Sequence, residues 1–92
     1  MGTPSTLVMA RQVARASHRW LGAFSVKVRV DTQDATGQKI VLEAIHKLTG
    51  TEMAVVLTVP VLERVGVQKT VDKVLASVKT TLESRYADIL RN

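Results

Sequence analysis

Ninety-two residues, 46% of them apolar but with only Trp20, Phe24 and Tyr86 aromatic, make one small domain whose core must be aliphatic. The lack of cysteine excludes disulfides and thiolate metal sites, no apolar run nears the roughly 20 residues of a membrane span, and no signal-peptide pattern appears, so an intracellular, soluble, basic protein is expected. The whole formal net charge of +5 comes from the first thirty residues, which hold Arg11, Arg15, Arg19, Lys27 and Arg29 and no acid, while the remainder balances.

In chain order, Ser5 to Arg19 comes first and is open to two assignments. Its residues favour a helix with Ser5 as N-cap, yet Leu7, Met9 and Val13 could also lie on one face of a strand that turns near Ala16–Ser17–His18. Phe24–Val30 is plainer. Phe24, Val26, Val28 and Val30 alternate with Ser25, Lys27 and Arg29, the period-two pattern of a half-buried strand with a cationic outer face. Asp31 to Gln38 is a polar loop with a turn at Thr36–Gly37. Lys39–Leu48 is again ambiguous: Val41, Ala44, Ile45 and Leu48 have helical spacing, but Ile40-Val41-Leu42 looks like strand. Thr49–Gly50–Thr51 is a turn, and Met53–Val59 reads as a central strand that Pro60 ends.

From about Gly66 to Arg91 the period changes. Val67, Val71, Val74, Leu75, Val78, Leu82, Tyr86 and Ile89 form one stripe of an amphipathic helix of six to seven turns, about 37 Å long. Its Val and Thr content makes propensity mediocre, so packing must hold it, and a bend near Thr80–Thr81 is anticipated. A helix this long outruns a small sheet; a second copy lying beneath the overhang resolves the mismatch, and a kinked helix folding back on itself is the alternative. The fold class expected is therefore α+β: an antiparallel sheet followed by a long C-terminal helix, in an intertwined dimer with the helices on one sheet face.

No catalytic constellation is present. His18 and His46 belong to no metal motif, His18 reading as a surface or phosphate contact and His46 as a solvated side chain. Carboxylates are scattered, and phosphate-loop and serine-nucleophile motifs are missing. Neither catalytic, metal nor cofactor residues are assigned, and no membrane or small-molecule substrate is expected. Segregated positive charge points instead to a polyanion, since basic side chains that neutralise phosphates release condensed counterions.

The order of a cationic alternating strand, a Thr-Gln and Gly loop, an apolar segment and a strand ending Leu57-Thr58-Val59-Pro60-Val61 before a long helix resembles the coat proteins of the single-stranded RNA bacteriophages, the leviviruses. Ser25-Val26-Lys27-Val28-Arg29-Val30 and Asp31-Thr32-Gln33-Asp34-Ala35-Thr36-Gly37 carry the resemblance, over roughly Phe24 to Leu82. It implies a single coat-like domain over 1–92, with strands over about 6–61 and the helical segment over about 66–91. It further implies an intertwined dimer with a continuous antiparallel sheet, RNA on the inner sheet face, and an icosahedral shell. The chain would then be made in a bacterial cytoplasm and reside in the virion.

Carried over by residue, Ser25, Lys27 and Arg29 face RNA, Arg11 and Arg15 join them from a neighbouring N-terminal strand, and Thr58 contributes from the late strand. Loop residues Thr32, Gln33, Asp34, Ala35, Thr36, Gly37 and Gln38 make inter-dimer contacts, and Val71, Leu75, Val78 and Leu82 clasp the partner. Two features depart from the family pattern. The N-terminal hairpin that precedes the counterpart of Leu7 has no room here, and Glu52–Ala54 lacks the aromatic that stacks an RNA base. General packaging of single-stranded RNA through phosphate contacts is thus expected, rather than base-specific hairpin recognition.

Overall fold

The computed structural model describes residues 4–91. In chain order these form helix α1 (Pro4–Ala16), a 3-10 turn (Ser17–Trp20), strands β1 (Phe24–Val30), β2 (Lys39–His46) and β3 (Glu52–Thr58), a short helix α2 (Val59–Val65) and helix α3 (Val67–Arg91). The strands make an antiparallel meander in the order β1-β2-β3. An α+β arrangement of a three-stranded antiparallel sheet followed by a long C-terminal helix is the observed architecture.

Both ambiguous segments resolve by packing. Ser5–Arg19 is a helix and a 3-10 turn, which corrects the strand over about 6–19 that the levivirus resemblance implies. Thr6 and Val13 are fully buried and Ala16 is 7% exposed, while Leu7 is 52% exposed. Spacings of three and four place Met9, Ala10, Val13 and Ala16 on one packed stripe, which no alternating strand could do. Lys39–His46 is a strand. Ile40, Leu42, Ala44 and His46 face the helices opposite Val30, Val28, Val26 and Phe24.

Two smaller expectations also change. Strand β3 stops at Thr58, and Pro60 sits in the first turn of α2, where its missing N–H is harmless. Helix α3 runs unbroken through Thr80–Thr81, with Thr80 Oγ1 donating to the Ala76 carbonyl at 3.1 Å. The two expected turns are present, Gly37 and Gly50 adopting φ of 66° and 71°, a left-handed geometry that favours glycine.

All helices lie on one sheet face, and the core fills the layer between. Phe24, Ile40, Leu42, Leu62, Leu75 and Leu82 are its largest fully buried side chains. The helix layer is pinned by polar contacts at both ends. Thr6 Oγ1 donates to the Gly37 carbonyl at 2.6 Å, tying α1 to the β1–β2 loop. Asp72 of α3 accepts from Trp20 Nε1 at 2.8 Å, Arg19 Nη1 at 2.9 Å and Gln68 Nε2 at 3.0 Å.

Truncating Leu75 to Ala, at the centre of the α3 stripe, is expected to cost about 2–5 kcal/mol, read from urea unfolding. The Trp20 hydrogen bond, followed by that of Gln68 and the charge of Arg19, holds the Asp72 carboxyl below its ordinary pKa. A carboxyl lowered in the native state adds stability above the ordinary carboxylate range and loses it as pH falls through the native value. Asp72→Asn should therefore flatten the loss of stability below about pH 4, measured by thermal melts across pH.

Candidate nucleic-acid interface

With the helices on one side, the other sheet face is open. Strand alternation and register set its rows: Arg29–Val41–Val56, Lys27–Glu43–Ala54 and Ser25–Ile45–Glu52, with Lys39 opposite Thr58 at one end. Ser25, Lys27, Arg29 and Thr58 thus share this face, as expected from the alternation of β1 and the position of Thr58.

Register also brings in residues that sequence reasoning missed. Glu43 stands opposite Lys27 and accepts from Arg29 Nε at 3.3 Å. Glu52 stands at the β3 edge of the same face, and Lys39, which approaches Asp34 at 3.5 Å, adds a third cation. Two carboxylates therefore temper a face that β1 alone presents as purely cationic. Between the charges lie Val41, which is 5% exposed, and the more open Ile45 and Val56. A shallow depression on this face is lined by Ser25, Lys27, Glu43, Ile45 and Glu52. Alternation of Lys39, Val41, Glu43 and Ile45 against Ile40, Leu42 and Ala44 was the available signal, hidden by the helical spacing of the same segment.

Arg11 and Arg15 are corrected. They lie on α1, on the helical side of the sheet and not on a neighbouring strand, because α1 packs by Thr6, Val13 and Ala16 and turns its arginines to solvent. Arg11 and Arg29 nevertheless line one groove between α1 and the free edge of β1, with Ala10, Ala14, Val28 and Val30. Arg15 instead borders the groove between α1 and the start of α3, beside Gln12 and Gln68. Positive charge thus wraps the edge of β1, from Lys27 and Arg29 on the open face to Arg11 on the helix. Arg11, Arg15 and Lys27 have no carboxylate within 4.0 Å among the described residues.

The loop from Thr32 to Gln38 joins β1 to β2 and is exposed apart from Gly37, which is buried, and Asp34, which is half-buried. It is internally braced: Asp34 accepts from Thr36 Oγ1 and, at 3.4 Å, from the Gln38 N–H. The Thr36 hydrogen bond, then that from Gln38 and the Lys39 charge, lowers the Asp34 pKa.

Val71, Leu75, Val78 and Leu82 are at most 4% exposed within a single chain, where they pack into the core. A further correction concerns His46. His46 is 2% exposed rather than solvated, because it takes a core-facing position on β2 and meets the Phe24 ring edge-on at 5.3 Å. Its Nε2 lies 3.6 Å from Glu83, whose pKa is lowered by the Lys79 hydrogen bond and charge and then by His46. His18 is exposed.

Comparison with protein families, curated proteins and solved structures finds no match to this chain. Among the described residues no group of histidines and carboxylates is arranged to hold a metal ion, and no helix is long and apolar enough to cross a membrane.

Replacing Glu43 by Gln removes the carboxylate between Lys27 and Arg29. The variant is expected to elute from a heparin column at higher salt than the wild type, with an unchanged circular dichroism spectrum.

Proposed function

We propose that this chain is a self-associating structural protein that binds single-stranded RNA through the positive surface around β1, in the manner of a levivirus-like coat subunit. The carrying observation is the convergence of Lys27, Arg29 and Arg11 around one free strand edge, from segments eighteen residues apart in sequence (Arg11 and Arg29). Phosphate contacts of this kind position a strand without reading its bases, and they explain a charge that is segregated rather than merely in excess. Ser25 and Thr58 add hydroxyl donors and acceptors on the open face. An antiparallel meander leading into a long helix supports the levivirus-like version, in which the loop from Thr32 to Gln38 serves contacts between dimers and the chain resides in a virion.

The helical N-terminal segment favours a second reading. Helix α1 occupies the place where the resemblance implies another strand, so a small cellular nucleic-acid-binding dimer without a shell accounts for the fold as well. Negative-stain microscopy of the purified protein, after size-exclusion chromatography followed at 260 and 280 nm, separates them. Uniform particles support the coat; a clean dimer that binds RNA supports the second reading; absence of RNA binding at low salt overturns both.

The double variant Lys27→Glu with Arg29→Glu should keep its fold, since both side chains are exposed. Its affinity for a single-stranded RNA should fall by about 100-fold near 0.1 M salt, and the slope of log affinity against log salt should shrink by about 1.4. Unchanged binding assigns the interface elsewhere.

A further inference from the structure

Going beyond the nucleic-acid reading, we propose that the groove between α1 and β1 takes an extended acidic segment of another protein, which joins the sheet as a fourth strand. β1 is an end strand of the meander, so one of its edges has no strand beside it. The ladder fixes which main-chain groups lie on that edge. At the two ends of the β1–β2 pairing, Asp31 N–H donates to the Lys39 carbonyl at 2.9 Å and Lys47 N–H to the Ala23 carbonyl at 2.8 Å. Antiparallel pairs alternate between hydrogen-bonded and non-bonded, so Ser25, Lys27 and Arg29 bond β2 through their main chains. The N–H and carbonyl groups of Val26, Val28 and Val30 point the other way.

These groups border a groove with apolar walls. Leu7, Ala10 and Ala14 line it from α1, together with Arg11, and Val28 and Val30 line it from β1. Leu7 is 52% exposed and the three valines are half-buried, so apolar surface is open to a ligand. An incoming strand meets open main-chain donors and acceptors, room for alternate side chains, and a helix to lie against.

Alternation dictates the chemistry of the occupant. Residues paired with Val28 and Val30 fall on the helical side, over the groove, and are apolar. Residues paired with Lys27 and Arg29 fall on the open face and are acidic, since opposite charges are favoured across a strand pair. Among the described residues Lys27 and Arg11 have no carboxylate within 4.0 Å, and Arg29 has only Glu43, on the β2 side. A second copy of this chain does not meet the requirement. β1 against β1 opposes cations to cations, and β3, the other end strand, presents Ala54 and Val56 beside a single acid, Glu52.

Fluorescence anisotropy on the full chain, with a labelled seven-residue peptide alternating valine and glutamate, tests this. The peptide is expected to bind, and its counterpart with lysine for glutamate is not. Lys27→Glu with Arg29→Glu should weaken binding by about tenfold or more. N-methylation separates strand addition from simple charge attraction. In an antiparallel pair the valine nitrogens face β1, so methylating them should cost about tenfold or more, while methylated glutamate nitrogens leave binding unchanged. Val30→Pro removes a donor from the open edge and no ladder hydrogen bond, so it should weaken the peptide with an unchanged circular dichroism spectrum. Equal binding of the two methylated peptides, equal binding of the lysine peptide, or no binding overturns the proposal. A single-stranded RNA oligomer is titrated into the same samples. RNA binding without peptide binding overturns this inference alone, and peptide binding without RNA binding overturns the nucleic-acid reading alone.

Discussion

Three strands of seven or eight residues offer one apolar face to bury, and α3 takes its share of that layer through Val71, Leu75, Val78 and Leu82. Everything else adjusts to this packing. Helix α1 fills the rest of the layer with Met9, Ala10, Val13 and Ala16, and the short α2 contributes Val59 and Leu62. Because all helices are on one side, the other sheet face and the β1 edge remain open. Because the layer is shorter than α3, Ile89 and Leu90 in the last turns of that helix remain exposed. The two surfaces available for function are thus both consequences of a core that closes on one side only.

The open face shows how register edits charge. Read along β1 alone, Lys27 and Arg29 make a cationic row. Pairing with β2 sets Glu43 between them, and pairing with β3 brings in Glu52. Antiparallel neighbours commonly pair opposite charges in this way, and exposed pairs contribute little to stability. Their consequence here is for the field: positive potential is concentrated at the β1 edge and continued by Arg11, rather than spread across the sheet. Lys27 and Arg29 on an edge strand also oppose its pairing with a second β1, since like charges would meet across the new ladder.

Periodicity made some elements plain in the sequence. The alternation from Phe24 to Val30 identified β1 and its exposed residues, and the three- and four-residue spacing from Val67 to Leu82 identified α3 and its buried stripe. The overhang of that stripe was legible too, since about 37 Å of helix exceeds a short strand. What periodicity leaves open is which of two compatible patterns a segment adopts. Lys39–Leu48 satisfies both, and pairing on both sides with β1 and β3 made Lys39–His46 a strand, leaving Leu48 in the turn. His46 followed from that choice: as a helix residue beside Lys47 it would be solvated, but on β2 it faces Phe24 in the core.

The sequence by itself determined the class of fold, the strand that carries Ser25, Lys27 and Arg29, and the segregation of charge into the first thirty residues. These are properties of local pattern, and each is encoded within a few turns or one strand. Only the tertiary structure decided that Arg11 and Arg29 line one groove, that Glu43 and Glu52 share the open face, and that Leu75 and Leu82 pack against the sheet of their own chain. Those outcomes depend on strand register and on which helix faces which sheet surface. Both arise from packing between segments distant in sequence, where no local spacing rule applies.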